Sequence, residues 1–262
     1  MEEIVVTARK REESLQNIPV SVLAISGQQI EEQGLYDLAA LAPYTPNFSI
    51  VQAPGASDLI FMRGVGTYGS GIHFEPSVGQ VFNGFFSTRS RLSRTALIDV
   101  AQVEVLRGPQ GPVIGKNTSL GALNITSNRP TEEFEGSFSL ALNSEASQGV
   151  ETQAIFSGPI ADNLRGRLVV DYQDVDGWVE NRFTGNTLQS GKDTTIRALL
   201  DWDISDTLTA EFLYQYNDLD RNGKPREVVE CFNPGVIPRT GFNPATRGFD
   251  CQLNASNQTG NF

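Results

Sequence analysis

Residues 103–119, VEVLRGPQGPVIGKNTS, are the stretch whose residue types could cradle a phosphate: an apolar strand, then glycines, a lysine, and hydroxyl and amide side chains. A phosphate loop needs four residues between its glycines, Ser or Thr directly after the lysine, and free backbone N–H groups leading into a helix. Here Gly111 and Gly115 enclose three residues, Asn117 follows Lys116, and Pro109 and Pro112 each delete an N–H. The residues that follow, LGALNITS, alternate as a strand does. Nucleotide chemistry is therefore strongly disfavoured, and Gly108, Gly111 and Gly115 are expected to serve tight turns.

Other chemistries are bounded by composition. The single histidine, His73, excludes a His-based metal cluster, and two cysteines, Cys231 and Cys251, exclude a four-thiolate zinc site. A net charge of −11 argues against nucleic acid, which needs a basic face. No run approaches the roughly 20 apolar residues of a transmembrane helix, a test to which β-barrel strands are blind. Met1 leads straight into Glu2-Glu3-Ile4, so no signal peptide is visible.

The elements that must position these residues change character near Pro130. Ahead of it, residues 18–25 (IPVSVLAI) read as a strand, and Ser26 with Gln29 makes a capping box for a short helix running to Gly34. A second helix follows in LYDLAALAP, and strands are expected at 59–63, 78–86, 102–106 and 123–126. Asn83-Gly84 is a two-residue hairpin signal inside the second of these. The result is a small α+β domain.

Beyond Pro130, five segments alternate with period two. Phe134, Phe138, Leu140 and Leu142 lie on one face of the first. The others carry Val150 to Phe156, then Leu164, Leu168, Val170 and Tyr172, then Ile196 to Ile204, then Leu208 to Tyr216. Charged and amide residues such as Gln153, Arg165, Arg167, Asp171, Arg197, Asp201 and Glu211 occupy the opposite faces. Alternation alone suits a soluble β-sandwich as well as a membrane wall. Segments of about 9–11 residues, and tight turns at 160–163 and 205–207 alternating with longer loops at 143–149 and 174–192, favour an outer-membrane barrel.

Taken together, Val103 to Gly111, Gly115 to Thr118 and Ala122 to Thr126 resemble the TonB-dependent outer-membrane receptors, as do Phe61 to Gly66, Asn17 to Val20 and Pro76 to Gly84. Ile4-Val5-Val6-Thr7-Ala8 looks like a TonB box. The resemblance implies an α+β plug domain followed by antiparallel transmembrane β-barrel strands, an incomplete barrel of about five strands. It implies a TonB box and flexible segment over 1–12, a plug over 13–130, and the N-terminal portion of the barrel over 131–262, truncated in an extracellular loop. It departs from the family at Ile114, at Gly121-Ala122 and at Asn83, where an aromatic, a Gly-Gly pair and an aspartate are more usual.

What the resemblance implies about function is equally specific. The chain is expected to be a non-enzyme without cofactor or metal, placed in the outer membrane and importing a scarce bulky nutrient: an iron–siderophore or similar chelate, or a glycan. TonB, with its inner-membrane energising complex, would dock on Ile4 to Ala8 by strand addition. Tyr68, His73, Arg89 and Arg91 are substrate-binding candidates, and Arg63, Glu104 and Arg107 are plug–barrel contacts. Cys231 and Cys251, in an external loop assembled under oxidising conditions, would form a disulfide worth about 3 kcal/mol. A barrel that houses such a plug has about 22 strands, so roughly 17 would lie beyond this N-terminal fragment. The alternatives are a soluble β-rich periplasmic binding protein and a nucleotide-binding enzyme.

Overall fold

A computed structural model describes residues 5–6, 13–14, 20–35, 37–51, 58–67, 75–87, 93, 95–143, 149–177, 179–180, 187–188 and 190–221. It falls into two compact units. The first comprises Met1–Gly136, Phe156–Val169 and Arg197–Gln215, the second Ser137–Ile155, Val170–Ile196 and Tyr216–Phe262.

At the N-terminus β1 (Val5–Val6) pairs antiparallel with β2 (Glu13–Ser14), so part of the segment expected to be flexible is held in a two-stranded ribbon. β3 (Ser21–Ser26) then enters α1 (Gly27–Glu32) through the expected capping box, in which Ser26 Oγ accepts from the Gln29 N–H and Gln29 Oε1 accepts from the Ser26 N–H. Both bonds are local, which is why the sequence shows them. Instead of a second α-helix, Leu38–Tyr44 forms a 3₁₀ helix capped by Asp37, with Pro43 inside its last turn. Pro43 inside the segment and Pro46 just after it each lack the backbone N–H that a longer α-helix would use, which favours a short, tighter turn.

β4 (Phe48–Val51), β5 (Leu59–Met62) and β6 (Val65–Gly66) make a small antiparallel sheet. Arg63 therefore leaves the expected strand for a turn, at φ 53 beside Gly64 at φ 76. β7 (Val78–Phe82) and β8 (Phe85–Ser87) form the hairpin predicted at Asn83-Gly84, whose φ values of 47 and 82 match a primed turn. Asn83 also donates through Nδ2 to Ser127 Oγ at 2.8 Å and accepts the Ser127 N–H at 2.9 Å. An aspartate could accept but not donate, so the amide suits this turn.

β9 (Val100–Arg107) and β10 (Gly121–Ser127) complete a five-stranded sheet in the order β3-β9-β10-β7-β8, with only β7 and β10 parallel. Val103, Val105, Leu123, Ile125, Val78 and Phe82 pack beneath Ile30, Leu38, Leu41, Phe48, Ile60 and Met62. Gly27 is the closest approach of helix to sheet: a Cβ there would lie 1.9 Å from the Val100 carbonyl oxygen. Because the obstacle is backbone, Gly27→Ala must push α1 off β9 and is expected to cost about 1–3 kcal/mol. A denaturant midpoint matching wild type would contradict this close packing.

The second sheet is a meander, β11 (Glu135–Asn143), β12 (Gly149–Ala161), β13 (Leu164–Val175), β16 (Gly191–Ser205) and β17 (Leu208–Arg221), neighbours in that order. Two-residue turns join β12 to β13 and β16 to β17. The longer connection from β13 to β16 holds a small hairpin, β14 (Val179–Glu180) with β15 (Thr187–Leu188). The strands reach 9–15 residues, longer than the alternation suggested. Among the described residues no helix is long and apolar enough to cross a membrane.

Candidate plug–wall site

Burial in the second sheet runs opposite to that of a water-soluble protein. The covered face carries Ser157, Arg167, Asp171, Asp193, Thr195, Arg197 and Asp201, each buried, beside Ile155, Val169 and Leu199. The open face carries Phe138, Phe156, Ile160, Leu168, Trp202 and Phe212, with Phe138 70% and Phe212 58% exposed. Charged groups are buried only when paired, and large apolar side chains face outward in quantity only where the surroundings are not water. Tyr172, Trp202, Tyr214 and Tyr216 lie on this open face, whereas Trp178 lies outside the described residues.

Within the first unit the covered face holds a dense ion-pair system. Asp99, in a turn just ahead of β9, takes two hydrogen bonds from Arg167: Nε to Oδ2 at 2.7 Å and Nη2 to Oδ1 at 2.5 Å. Asn128 Nδ2 donates to the same Oδ1 at 2.8 Å, and the Asn128 N–H to the Asp99 carbonyl at 3.2 Å. The two carboxylate and guanidinium groups are 1% and 9% exposed. Arg197, fully buried, donates through Nη1 to the Ile98 carbonyl at 2.7 Å and through Nε to Gln215 Oε1 at 3.0 Å. Its guanidinium lies 4.7 Å from the centroid of the Phe82 ring. A planar fork makes such bidentate, stacked contacts where an ammonium could not.

A second, more exposed group flanks it. Arg129, in the connection between the two sheets, bonds Glu211 and lies 3.3 Å from Asp201. Its hydrogen bond to Glu211 holds the guanidinium above its ordinary pKa, burial opposing this more weakly. Arg165 bonds Glu132 and Asp203, the latter at 2.8 Å. Thr131 bonds Ser157 through both its N–H and its hydroxyl. In the second unit the covered face is tied by Gln153 to Asp171 at 3.3 Å and Thr195 to Asn217 at 3.0 Å.

The loop at 108–120 turns five of its backbone donors on itself. The N–H groups of Gly108 and Gln110 go to the carbonyls of Leu120 and Thr118, those of Val113 and Ile114 to Gln110, and that of Gly115 to Gly111. Lys116 is engaged by Glu75 at 2.7 Å. That hydrogen bond holds the Glu75 carboxyl below its usual range, so the pair's contribution exists above the unfolded pKa and fades as pH falls through the lowered one. Both groups are open to solvent, and the contribution is small. No phosphate cradle remains.

The residues singled out from sequence divide into three groups. Val5 and Val6 lie in β1, with Val6 wholly buried, while Ile4, Thr7 and Ala8 lie outside the described residues. Tyr68, His73, Arg89, Arg91, Cys231 and Cys251 also lie outside them. Arg63 is exposed in its turn, and Arg107 is half-buried at the end of β9. Glu104 is buried, accepting from Gln102 at 3.1 Å and Asn124 at 3.0 Å on its own sheet. Sequence reasoning placed Arg167 and Arg197 on the polar face but did not single out Asp99.

Gln80 is a different case. It is 3% exposed in β7, and among the described residues neither its Nε2 nor its Oε1 has a hydrogen-bond partner. An unsatisfied buried amide costs about 1–3 kcal/mol, so Gln80→Met, nearly equal in volume, is expected to stabilise the fold by about 1 kcal/mol. A lowered midpoint in urea would show that the amide is satisfied.

Residues 14–122 match the TonB-dependent Receptor Plug Domain family. The chain is 26% identical over 234 residues to the ferripyoverdine receptor of Pseudomonas aeruginosa, covering 83% of this chain and 27% of that protein. It is 29% identical over 188 residues to the pesticin receptor of Yersinia pestis, covering 70% and 27%. The chain thus spans about a quarter of the length of these curated relatives. Among solved structures, the ferric yersiniabactin uptake receptor of Yersinia pestis superimposes with a TM-score of 0.68 at 25% identity, over 76% of this chain and 31% of that one. The alcaligin outer-membrane receptor of Bordetella pertussis gives 0.61 at 25%, over 81% and 35%.

Proposed function

We propose that this chain, whose residues 14–122 match the plug domain of the TonB-dependent receptors and whose later antiparallel strands resemble the start of their barrel, serves the active import of a ferric siderophore across the bacterial outer membrane. The observation that carries this reading is the reversed burial of the second sheet, apolar side out and polar side covered, joined to a plug through a buried ion pair and a buried arginine–carbonyl hydrogen bond. Relatives named for pyoverdine, and a structural neighbour named for ferric yersiniabactin, support an iron chelate over a glycan.

On this reading the N-terminal segment Ile4 to Ala8 is the TonB-docking strand. It is short, uncharged and rich in β-branched residues, as strand addition requires. Tyr68, His73, Arg89 and Arg91 are proposed to meet the chelate, and Arg63, Glu104 and Arg107 to brace the plug against wall strands outside this chain. Residues 1–12, 13–130 and 131–262 then serve as docking segment, plug and wall.

The test is uptake of iron-55-labelled siderophores by cells producing the whole protein, with and without TonB. TonB-dependent accumulation of at least one ferric siderophore is the expected result. Accumulation of an oligosaccharide but no ferric siderophore would transfer the reading to a glycan. Equal uptake without TonB would remove it altogether.

A further inference from the structure

The core of the first unit holds two polar groups that the closed fold leaves unpaired. Gln80 is one. It sits at the middle of β7, all five residues of which are buried. Val78 and Phe82, two residues to either side, belong to the hydrophobic core, so period-two alternation puts Gln80 on the same face. Its partners in register are Leu123 on β10 and Ser87 on β8. Thr45 is the other, in the layer that covers that face, between the core residues Leu41 and Phe48. Its N–H reaches the Ala42 carbonyl and its carbonyl takes the Phe48 N–H, both at 3.2 Å. The residue is 1% exposed, yet its hydroxyl has no partner among the described residues.

Buried carboxylates in the same unit show the contrast. Glu104, on the opposite face of the sheet, accepts from Gln102 and Asn124. Asp58 accepts from the Ser93 hydroxyl, and Asp99 from Arg167 and Asn128. Packing does not demand polarity at either unpaired position, since methionine nearly matches glutamine in volume and valine has the shape of threonine. A desolvated amide or hydroxyl without a partner raises the free energy of the closed state, and the penalty vanishes once water reaches it. Which elements move is immaterial here: any opening that uncovers this face of β7 hydrates Gln80.

We infer that Gln80 and Thr45 are built-in destabilisers of the closed plug, which take hydrogen bonds from water as the core opens and so quicken the opening step of import. This rests on the import reading above. Covered as they are before opening, the two side chains act on the rate of transport and not on the affinity for substrate.

The test compares Gln80→Met, Thr45→Val and the two combined, in cells producing the whole protein. Maximal TonB-dependent uptake of the iron-55-labelled siderophore that the parent accumulates is measured beside its equilibrium binding to cells lacking TonB. Urea midpoints of the whole proteins folded into detergent supply stability. Gln80→Met is expected to raise the midpoint and slow maximal uptake about fivefold, with affinity within about twofold of the parent. Thr45→Val is expected to slow uptake by a smaller factor, and the combined variant by about the product of the two. A raised midpoint with parental uptake would show that opening does not feel these groups and would overturn the inference. So would binding that weakens in step with uptake, which would move the residues to the chelate. A lowered midpoint would show that the group concerned is paired in the folded protein and would overturn its role. A parent that accumulates no ferric siderophore would instead count against the import reading itself.

Discussion

Arg167→Ala is expected to destabilise the folded protein by about 3–5 kcal/mol, more than any other single truncation in the wall. The reason lies in the partner left behind. The Asp99 carboxylate is 1% exposed and, among the described residues, takes two of its three side-chain hydrogen bonds from Arg167 and the third from the Asn128 amide. Without the guanidinium, a buried charge loses both of the stronger bonds. Truncating the other partner mixes two effects, because Asp99 sits at φ 49, where alanine is strained and asparagine is tolerated. Asp99→Asn therefore isolates the charge, and Asp99→Ala adds a backbone cost of about 1–2 kcal/mol. Denaturant titration of the whole protein folded into detergent or vesicles reads all three. A loss below about 1 kcal/mol for Arg167→Ala would mean that water reaches the pair and that it behaves as a surface salt bridge.

That ion pair also marks where sequence reasoning stops. Asp99 and Arg167 are 68 residues apart and Arg197 bonds the Ile98 carbonyl across 99. Each side alone looks ordinary, a turn aspartate and two arginines on a polar strand face. Only closure of the sheet over the plug makes them partners. Short-range signals fared better: the Ser26–Gln29 capping box and the Asn83-Gly84 turn each operate within four residues, and the period-two pattern needs nothing beyond its own strand. The end of β12 shows an intermediate case. The Gly158-Pro159 pair lies inside the strand, which continues to Ala161, with Ser157 and Gly158 both buried and Phe156 and Ile160 both exposed. Gly158 is required there because a Cβ would lie 2.9 Å from the Phe134 Cα, a constraint set by another strand.

The substrate side was legible only as a family expectation. Tyr68, His73, Arg89 and Arg91 were reached only through the family resemblance, because ligand contacts draw on side chains from many segments and leave no periodic trace in sequence. The wall, by contrast, was legible as alternation but not as orientation, since a soluble sandwich and a membrane barrel write the same pattern. Burial resolved it: Arg167 is covered while Leu168, its neighbour, is 42% exposed.

Those two adjacent positions give the sharpest test of what surrounds the open face. Leu168→Arg is expected to cost about 2–4 kcal/mol in a bilayer, because a guanidinium placed against hydrocarbon loses its hydration without gaining a partner. In a water-soluble sheet the same change at a 42% exposed site would fall within about 0.5 kcal/mol. The chemistry of the new side chain is identical to that of Arg167 one residue earlier, so a difference in outcome reports the face and not the residue. Phe212→Arg on β17, at 58% exposure, should repeat the result on a strand that Leu168 does not touch directly in the order β13-β16-β17. Folding of each variant into phosphatidylcholine vesicles, followed by urea titration, supplies the measurement. Two neutral outcomes would mean that water, not lipid, covers these strands, and the apolar face would then need a protein partner to explain it.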